Sequence, residues 1–295
     1  MKQTILFPLP GNENLASALS EALAIELGDA IIRAFPDGES YVRIVSDVKG
    51  KTVFLISTLD HPNAKLLPLI FMAQTIKALG AKKIGLVCPY LPYMRQDKRF
   101  RSGEAITSIL FAPLLSSGID CMITIDPHLH RIKSLSDIYA IPHILTLHAT
   151  PIISEWILHN IKSPILIGPD EESRQWVAEV AGLAHCPFVI GEKKRLGDAD
   201  VQLALPNIKN TECTPVLIDD VISTGASMLE AIRQLHTQGF KKPICIGVHA
   251  LLNAETINQL MCAGAANIVT CNTIPHPTNQ INITSMIAKG IAELC

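Results

Sequence analysis

The sequence predicts an α/β fold built as two tandem domains. Three observations point there. Short apolar runs alternate with helix-period stretches almost throughout the 295 residues. Apolar residues make up 48% of the chain and charged residues 18%, which favours a large core over disorder. One strand–helix–strand pattern also occurs twice. The first copy runs from Thr52-Val53-Phe54-Leu55-Ile56-Ser57 through a helix to Leu79-Gly80-Ala81-Lys82-Lys83-Ile84. The second runs from Pro215-Val216-Leu217-Ile218-Asp219 through a helix to Gln238-Gly239-Phe240-Lys241-Lys242-Pro243.

Each element follows from its composition. Strands are expected at 53–57, 84–89, 122–126, 165–168, 216–220 and 244–250. All are near-continuous apolar runs, as strands buried on both faces of a parallel sheet should be. Helices are expected between them, at 65–79, 171–181 and 227–238. Gly80 and Gly239 stand where helix-ending glycines belong, with lysines beside the negative helix end. Pro142 and Pro151 punctuate a join near 141–150, and a helix is expected to start at Pro151. The expected domains are therefore 1–143 and 144–295. A C-terminal helix is expected over 284–294, and the sequence leaves open whether it packs back on the first domain.

Composition excludes several classes of function. A formal net charge of −2 gives no global basic field for nucleic acid. The eight cysteines show no C-x-x-C spacing, which argues against a zinc module and a disulfide framework and favours buried free thiols in a reducing compartment. Pro8 interrupts the N-terminal stretch before a signal-type apolar core forms, and no apolar run reaches membrane-spanning length. The expectation is a cytoplasmic protein.

The most specific segment is Val216-Leu217-Ile218-Asp219-Asp220-Val221-Ile222-Ser223-Thr224-Gly225-Ala226-Ser227. It reads as a strand ending in two carboxylates, then a loop of small residues, then a helix start. Free N–H groups and the helix dipole favour an anion there, and small side chains let a phosphate approach the backbone. Paired carboxylates at a strand's carboxyl end suit the vicinal hydroxyls of a ribose. The plainer alternative is an ordinary helix cap, with Thr224 or Ser223 closing the first turn.

The full run resembles the phosphoribosyl-diphosphate (PRPP) loop of type I phosphoribosyltransferases and of PRPP synthases. Other segments separate the two. Phe35-Pro36-Asp37-Gly38-Glu39 resembles the adenine-site segment of PRPP synthases. Pro89-Tyr90-Leu91-Pro92-Tyr93-Met94-Arg95-Gln96-Asp97-Lys98-Arg99 resembles their signature around Arg-Gln-Asp. Asp126-Pro127-His128, Gly168-Pro169-Asp170 and Lys193-Lys194-Arg195 resemble their metal segment, Pro-Asp turn and flexible catalytic loop. The chain is thus similar to the ribose-phosphate diphosphokinase family, in the family's order from Phe35 to Ser227.

That resemblance implies two phosphoribosyltransferase-like domains, each a mostly parallel sheet flanked by helices. It implies transfer of the diphosphoryl group of ATP to the anomeric hydroxyl of ribose 5-phosphate. Phe35, Asp37, Gly38, Glu39, Arg95, Gln96 and Asp97 would bind ATP. Asp219, Asp220, Ser223, Thr224, Gly225, Ala226 and Ser227, with Arg195, would bind ribose 5-phosphate. Lys193 and Arg195 would be catalytic, on a mobile loop over 191–198. His128 and Asp170 would belong to a Mg2+ site, although imidazole is an unusual magnesium ligand. A homo-oligomer is implied, with a dimer as the minimal unit and a hexamer as a larger alternative, because the family's adenine segment serves a neighbouring subunit. The alternatives are a type I phosphoribosyltransferase that uses PRPP, or an inactive regulatory homologue. The chain departs from the common bacterial form at Pro36, Pro127, Gly168 and Ser223; the last removes one loop carboxylate.

Overall fold

In the computed structural model, residues 3–129, 131–195, 201–208 and 211–295 are described, with the backbone alone for 172, 193–195 and 201–203. The chain divides into two units. Residues 1–147 and 284–295 form the first, and 148–283 the second.

The first unit opens with β1 (Thr4–Pro8), α1 (Glu13–Leu23) and β2 (Glu26–Leu27). An antiparallel hairpin, β3 (Ala30–Ala34) and β4 (Ser40–Ile44), follows. Then come β5 (Thr52–Ile56), α2 (Pro62–Ala78), β6 (Lys83–Cys88), α3 (Thr107–Ser116), β7 (Cys121–Ile125) and β8 (His143–Leu147). The six-stranded sheet runs β2-β1-β5-β6-β7-β8, parallel throughout. One face, carrying Val53, Leu55, Ile84, Leu86 and Met122, packs with Leu69, Met72 and Ile76 of α2 and Phe111 and Leu115 of α3.

The second unit repeats this plan. It comprises α4 (Thr150–Asn160), β9 (Pro164–Gly168), a 3-10 turn at Glu171–Ser173, α5 (Arg174–Leu183) and β10 (Phe188–Ile190). An antiparallel hairpin of β11 (Glu192–Arg195) and β12 (Val201–Ala204) comes next. Then follow β13 (Thr214–Ile222), α6 (Ala226–Thr237), β14 (Ile244–Ala250), α7 (Ala254–Ala263), β15 (Asn267–Cys271) and β16 (Asn279–Ile281). Its sheet runs β10-β9-β13-β14-β15-β16 and is also parallel.

The internal echo is real at the level of single hydrogen bonds. Gly80 (φ +89°) and Gly239 (φ +81°) both take the left-handed conformation. Gly80 N–H donates to the Lys77 carbonyl and Ala81 N–H to Ile76. Gly239 N–H donates to His236 and Phe240 N–H to Leu235, the same spacing. A left-handed glycine satisfies the orphan carbonyls of a helix end without a Cβ clash.

Two features differ from the sequence reading. The boundary expected after residue 143 falls at the first residue of β8, and the units divide after Leu147. The stretch read as a mobile loop over 191–198 contains β11, with Lys193 opposite Leu203 and Arg195 opposite Val201. Polarity suggested a loop, whereas ladder pairing with β12 makes its described part a strand. Residues 196–198 of that expected loop lie outside the described residues.

The last helix, α8 (Thr284–Leu294), belongs to the first unit. It packs on α1, β7 and β8, with Ile287 and Ile291 fully buried. A Cβ added at Gly290 would stand 3.0 Å from Leu145 Cδ2 and 3.3 Å from Ile123 Cδ1. A larger residue there would require these side chains to shift, so the glycine eases the close approach of the helix to the sheet. Conversely, α4 follows β8 in the chain but packs on α5 and β16 of the second unit.

All eight cysteines are free. Four are buried, Cys88, Cys121, Cys245 and Cys271, but Cys262 and Cys295 are exposed, so the expectation of buried thiols holds for part of the set. Burial pushes the Cys121 thiol up to about 11 and the Cys245 thiol up to about 12. No helix of the described residues is long and apolar enough to cross a membrane.

Candidate active site

Both sheets have a switch point, where chain order reverses between neighbouring strands. It lies between β1 and β5 in the first unit and between β9 and β13 in the second. Open α/β sheets bind ligands outside the carboxyl ends of the strands at such points.

In the second unit, β9 runs into Gly168-Pro169-Asp170 and β13 carries Asp219 and Asp220. The Asp170 carboxylate accepts from Ser173 N–H at 3.1 Å and so caps the 3-10 turn. Asp219 Oδ1 accepts from Asp220 N–H at 3.0 Å. Burial raises the Asp219 pKa well above its ordinary value, the adjacent Asp220 raises it further, and Asp170 adds a third negative charge in the same sense. Three carboxylates thus gather at the switch point, and the fold tolerates the repulsion. A shallow pocket beside them is lined by Gly168, Pro169, Asp219, Ser227 and Met228.

The loop that follows settles the helix-cap alternative. The N-cap of α6 is Gly225 (φ +69°), and no side chain caps the helix. Neither Ser223 nor Thr224 closes the first turn. Thr224, Ala226 and Ser227 are exposed, while Gly225 is buried. A Cβ at Gly225 would meet Thr256 Cγ2 at 3.0 Å, so a side chain there is opposed by both conformation and space. The first turn of α6 thus starts from small residues without a side-chain cap, an arrangement that suits an anion.

In the first unit, Phe35, Pro36, Asp37, Gly38 and Glu39 form the tip of the β3–β4 hairpin. Phe35 N–H donates to the Glu39 carbonyl at 2.7 Å, Gly38 N–H to Phe35 at 2.9 Å, and Glu39 N–H to Asp37 Oδ1 at 3.1 Å. The tip is a well-formed turn, and every one of its side chains is exposed. Phe35 is 39% exposed. Arg33 lies 4.6 Å from its ring centroid and 4.4 Å from that of Tyr41, which meets Phe35 edge-on; the sequence reading missed this pair of cation–π contacts.

The loop after β6 carries Arg95, Gln96 and Asp97. Tyr93 sits in the left-handed region (φ +63°) with its ring 4.7 Å from Phe111. Thr107 Oγ1 donates to the Tyr93 carbonyl at 3.3 Å. The Gln96 carbonyl accepts from Ser108 N–H at 3.3 Å and from its hydroxyl at 3.2 Å. Met94 is buried and accepts from the Tyr139 hydroxyl. Arg95, between these anchors, is exposed. The Asp97 side chain is only 2% exposed and takes two hydrogen bonds from Arg131 Nη1, at 2.9 and 3.2 Å. Arg131 is a second residue the motifs did not single out.

After β7, Asp126 is buried with φ +35°, and its N–H donates to Leu147. His128 follows in the first unit, and Asp170 lies in the second. Among the described residues no three His, Cys, Asp or Glu side chains group closely enough to hold a metal by themselves. The side chains of Lys193 and Arg195, and residue His130, lie outside the described residues.

Comparison with known proteins adds to this geometry. Residues 4–118 match the N-terminal domain of ribose phosphate pyrophosphokinase, and residues 134–275 match the phosphoribosyl transferase domain. The ribose-phosphate pyrophosphokinase of Saccharolobus solfataricus is 33% identical over 280 residues, covering 93% of this chain and 94% of the relative. Ribose-phosphate pyrophosphokinase 2 of Archaeoglobus fulgidus is 32% identical over 286 residues, covering 97% and 99%. The crystal structure of phosphoribosylpyrophosphate synthetase from Mycobacterium smegmatis matches with a TM-score of 0.88 at 24% identity, covering 99% of this chain and 98% of the other. These matches extend over both halves, which a single-domain phosphoribosyltransferase would not provide.

Proposed function

Because the chain belongs to the ribose-phosphate pyrophosphokinase family, we propose that it transfers the β,γ-diphosphoryl group of ATP to the anomeric hydroxyl of ribose 5-phosphate. The anomeric oxygen bonds to the β-phosphorus and loses its proton, the bond from that phosphorus to the AMP oxygen breaks, and the products are PRPP and AMP.

The observation that carries this reading is the second unit's switch point. Burial and repulsion work against Asp219 there, beside an uncapped helix start made of small residues. Unfavourable electrostatics that a fold accommodates at a strand end support reading it as a functional site. Asp219 and Asp220 accept from the ribose hydroxyls, and Ser223, Thr224, Gly225, Ala226 and Ser227 hold the 5-phosphate. Lys193 and Arg195, on β11, supply cations to the migrating group, and Arg195 also contacts the sugar phosphate. Electrostatic stabilisation of this kind dominates phosphoryl transfer.

ATP is held by Arg95 and Gln96, which Asp97 orients, and by the hairpin tip of Phe35, Asp37, Gly38 and Glu39. An exposed tip suits an adenine site completed in a neighbouring subunit, and so a homo-oligomer, a dimer at least. The apolar side chains left exposed on α2 and α3, Leu67, Phe71, Leu110 and Leu114, support an oligomer too. Magnesium fits the acid set. It keeps several waters and takes one or two carboxylates besides substrate phosphates, so it does not require three converging side chains. Asp170, with Asp219 and Asp220, has the oxygen donors for it, and His128 acts on phosphate or through water. The metal would neutralise charge on the diphosphoryl oxygens. A cytoplasmic location fits these substrates.

A coupled assay for AMP and PRPP with ATP, ribose 5-phosphate and Mg2+, with and without inorganic phosphate, tests the reaction. Stoichiometric AMP and PRPP are expected. Consumption of PRPP, or no AMP release, would overturn it.

A further inference from the structure

We propose that Arg131 is a positioning residue for the ATP segment: by holding and neutralising Asp97, it displays Arg95 as an unopposed cation. The inference rests on the reading of residues 95–97 as an ATP-binding loop.

Asp97 is two residues from Arg95, and its carboxylate is nearly buried. A carboxylate so placed, with no partner, would draw Arg95 toward itself and subtract positive potential where a polyanion must bind. Arg131 removes that conflict. Its Nη1 reaches both Asp97 oxygens, at 2.9 and 3.2 Å, from 34 residues further along the chain. It leaves the loop after β7, five residues beyond Asp126, whereas Asp97 leaves the loop after β6. These strands are neighbours in the sheet, so the pair ties two adjacent carboxyl-end loops together. The rest of the segment is already fixed, through Met94 on one side and the Gln96 carbonyl on α3 on the other. With Asp97 held as well, Arg95 is the exposed side chain between two anchored neighbours. Arg131 itself is 42% exposed, so its guanidinium also adds to the cationic rim.

The pair makes a prediction that simple structural support does not. Removing Arg131 should harm ATP binding chiefly because it strands the Asp97 carboxylate, so also removing that charge should restore part of the loss. Binding of a non-hydrolysable ATP analogue to the full chain is measured by calorimetry, together with KM for each substrate. Arg131→Gln is expected to weaken analogue binding about tenfold or more, the scale at which one partner of a desolvated charge pair is felt. KM for ribose 5-phosphate should stay within about twofold, because the second unit is untouched. Arg131→Lys should recover part of the loss, and Arg131→Gln with Asp97→Asn should bind more tightly than Arg131→Gln alone. Unchanged analogue binding in Arg131→Gln, or a double variant weaker than the single, would overturn the positioning role. A melting scan checks folding; should Arg131→Gln unfold, the lysine and double variants decide by the same split between substrates. If the wild-type chain binds the analogue but makes no PRPP, the proposed reaction fails while the binding comparison still judges the clamp.

Discussion

The two switch points sit on the same sheet order and do opposite things. In the first unit the crevice is stitched shut. Asn12, 2% exposed, lies just past β1, and its Oδ1 accepts from Thr58 N–H at 2.9 Å, just past β5. Lys65 reaches back from α2 to the Asp60 carboxylate and, at 3.1 Å, to the Thr58 carbonyl. The helix that follows begins with Pro62, which has no N–H to offer an anion. In the second unit β13 itself carries Asp219 and Asp220, and α6 begins at Ala226 with no side-chain cap. The first crevice is crossed by hydrogen bonds between its own loops, whereas the helix start beside the second carries no side-chain cap. Repetition of a fold therefore does not repeat the side chains at its switch point.

The hairpins make a second contrast. Each unit inserts one in the same place, after the edge strand and before the central one. The first presents Phe35 with acidic neighbours at its tip. The second carries Lys193 and Arg195 on β11. An aromatic tip suits a base and a cationic strand suits a phosphate in motion.

Four measurements test this contrast between the units. The largest effect is expected from Lys193→Ala. Loss of a transition-state cation should lower kcat by about 10²-fold or more while ATP binding changes little; near-normal turnover would remove Lys193 from the mechanism. Next comes Asp219→Asn with Asp220→Asn. Ribose 5-phosphate KM should rise about tenfold or more, as loss of charge-assisted hydrogen bonds to the sugar requires, with ATP-analogue binding intact. An unchanged KM and rate would contradict the sugar assignment.

A smaller effect concerns stability. The folded-state pKa of Asp219 is raised, so the group favours the folded state most at low pH, where it is protonated in both states. That contribution is lost as pH rises from the ordinary carboxylate range through the raised value. Asp219→Asn should therefore raise the melting midpoint at pH 7 and flatten its fall with pH above 4; a lower midpoint at pH 7 would show that the charge is compensated. The smallest effect should come from Lys65→Met. Its pair with Asp60 is partly exposed and is worth about 1 kcal/mol at most. Stability should fall slightly and ribose 5-phosphate KM should not move. A large KM change would mean that the stitched crevice in the first unit is a site after all.

Much of this molecule is readable without coordinates. The run from Val216 to Ser227 announces a strand, a small-residue loop and a helix, and the observed β13 and α6 bracket it. The twin glycine caps are readable for the same reason, since a left-handed residue favours glycine wherever it occurs. Helix 284–294 is found at the expected bounds. The two hairpins are harder, because short exposed strands lack the apolar signal, and β11 read as a loop. Arg33 and Arg131 carry no motif, and their partners become visible only when strands are placed side by side.

Local chemistry therefore determined the elements, their caps and the small-residue loop between β13 and α6, because those depend on residues within a turn or two of each other. The chain's own fold decided the rest. It brought Arg131 to Asp97, made Asp219 reluctant to ionise, closed one crevice with Asn12 and Lys65, and gave α8 to the first unit. Each of these depends on burial or on contact between residues distant in the chain, and both are set only when the strands take their order and the helices choose a face.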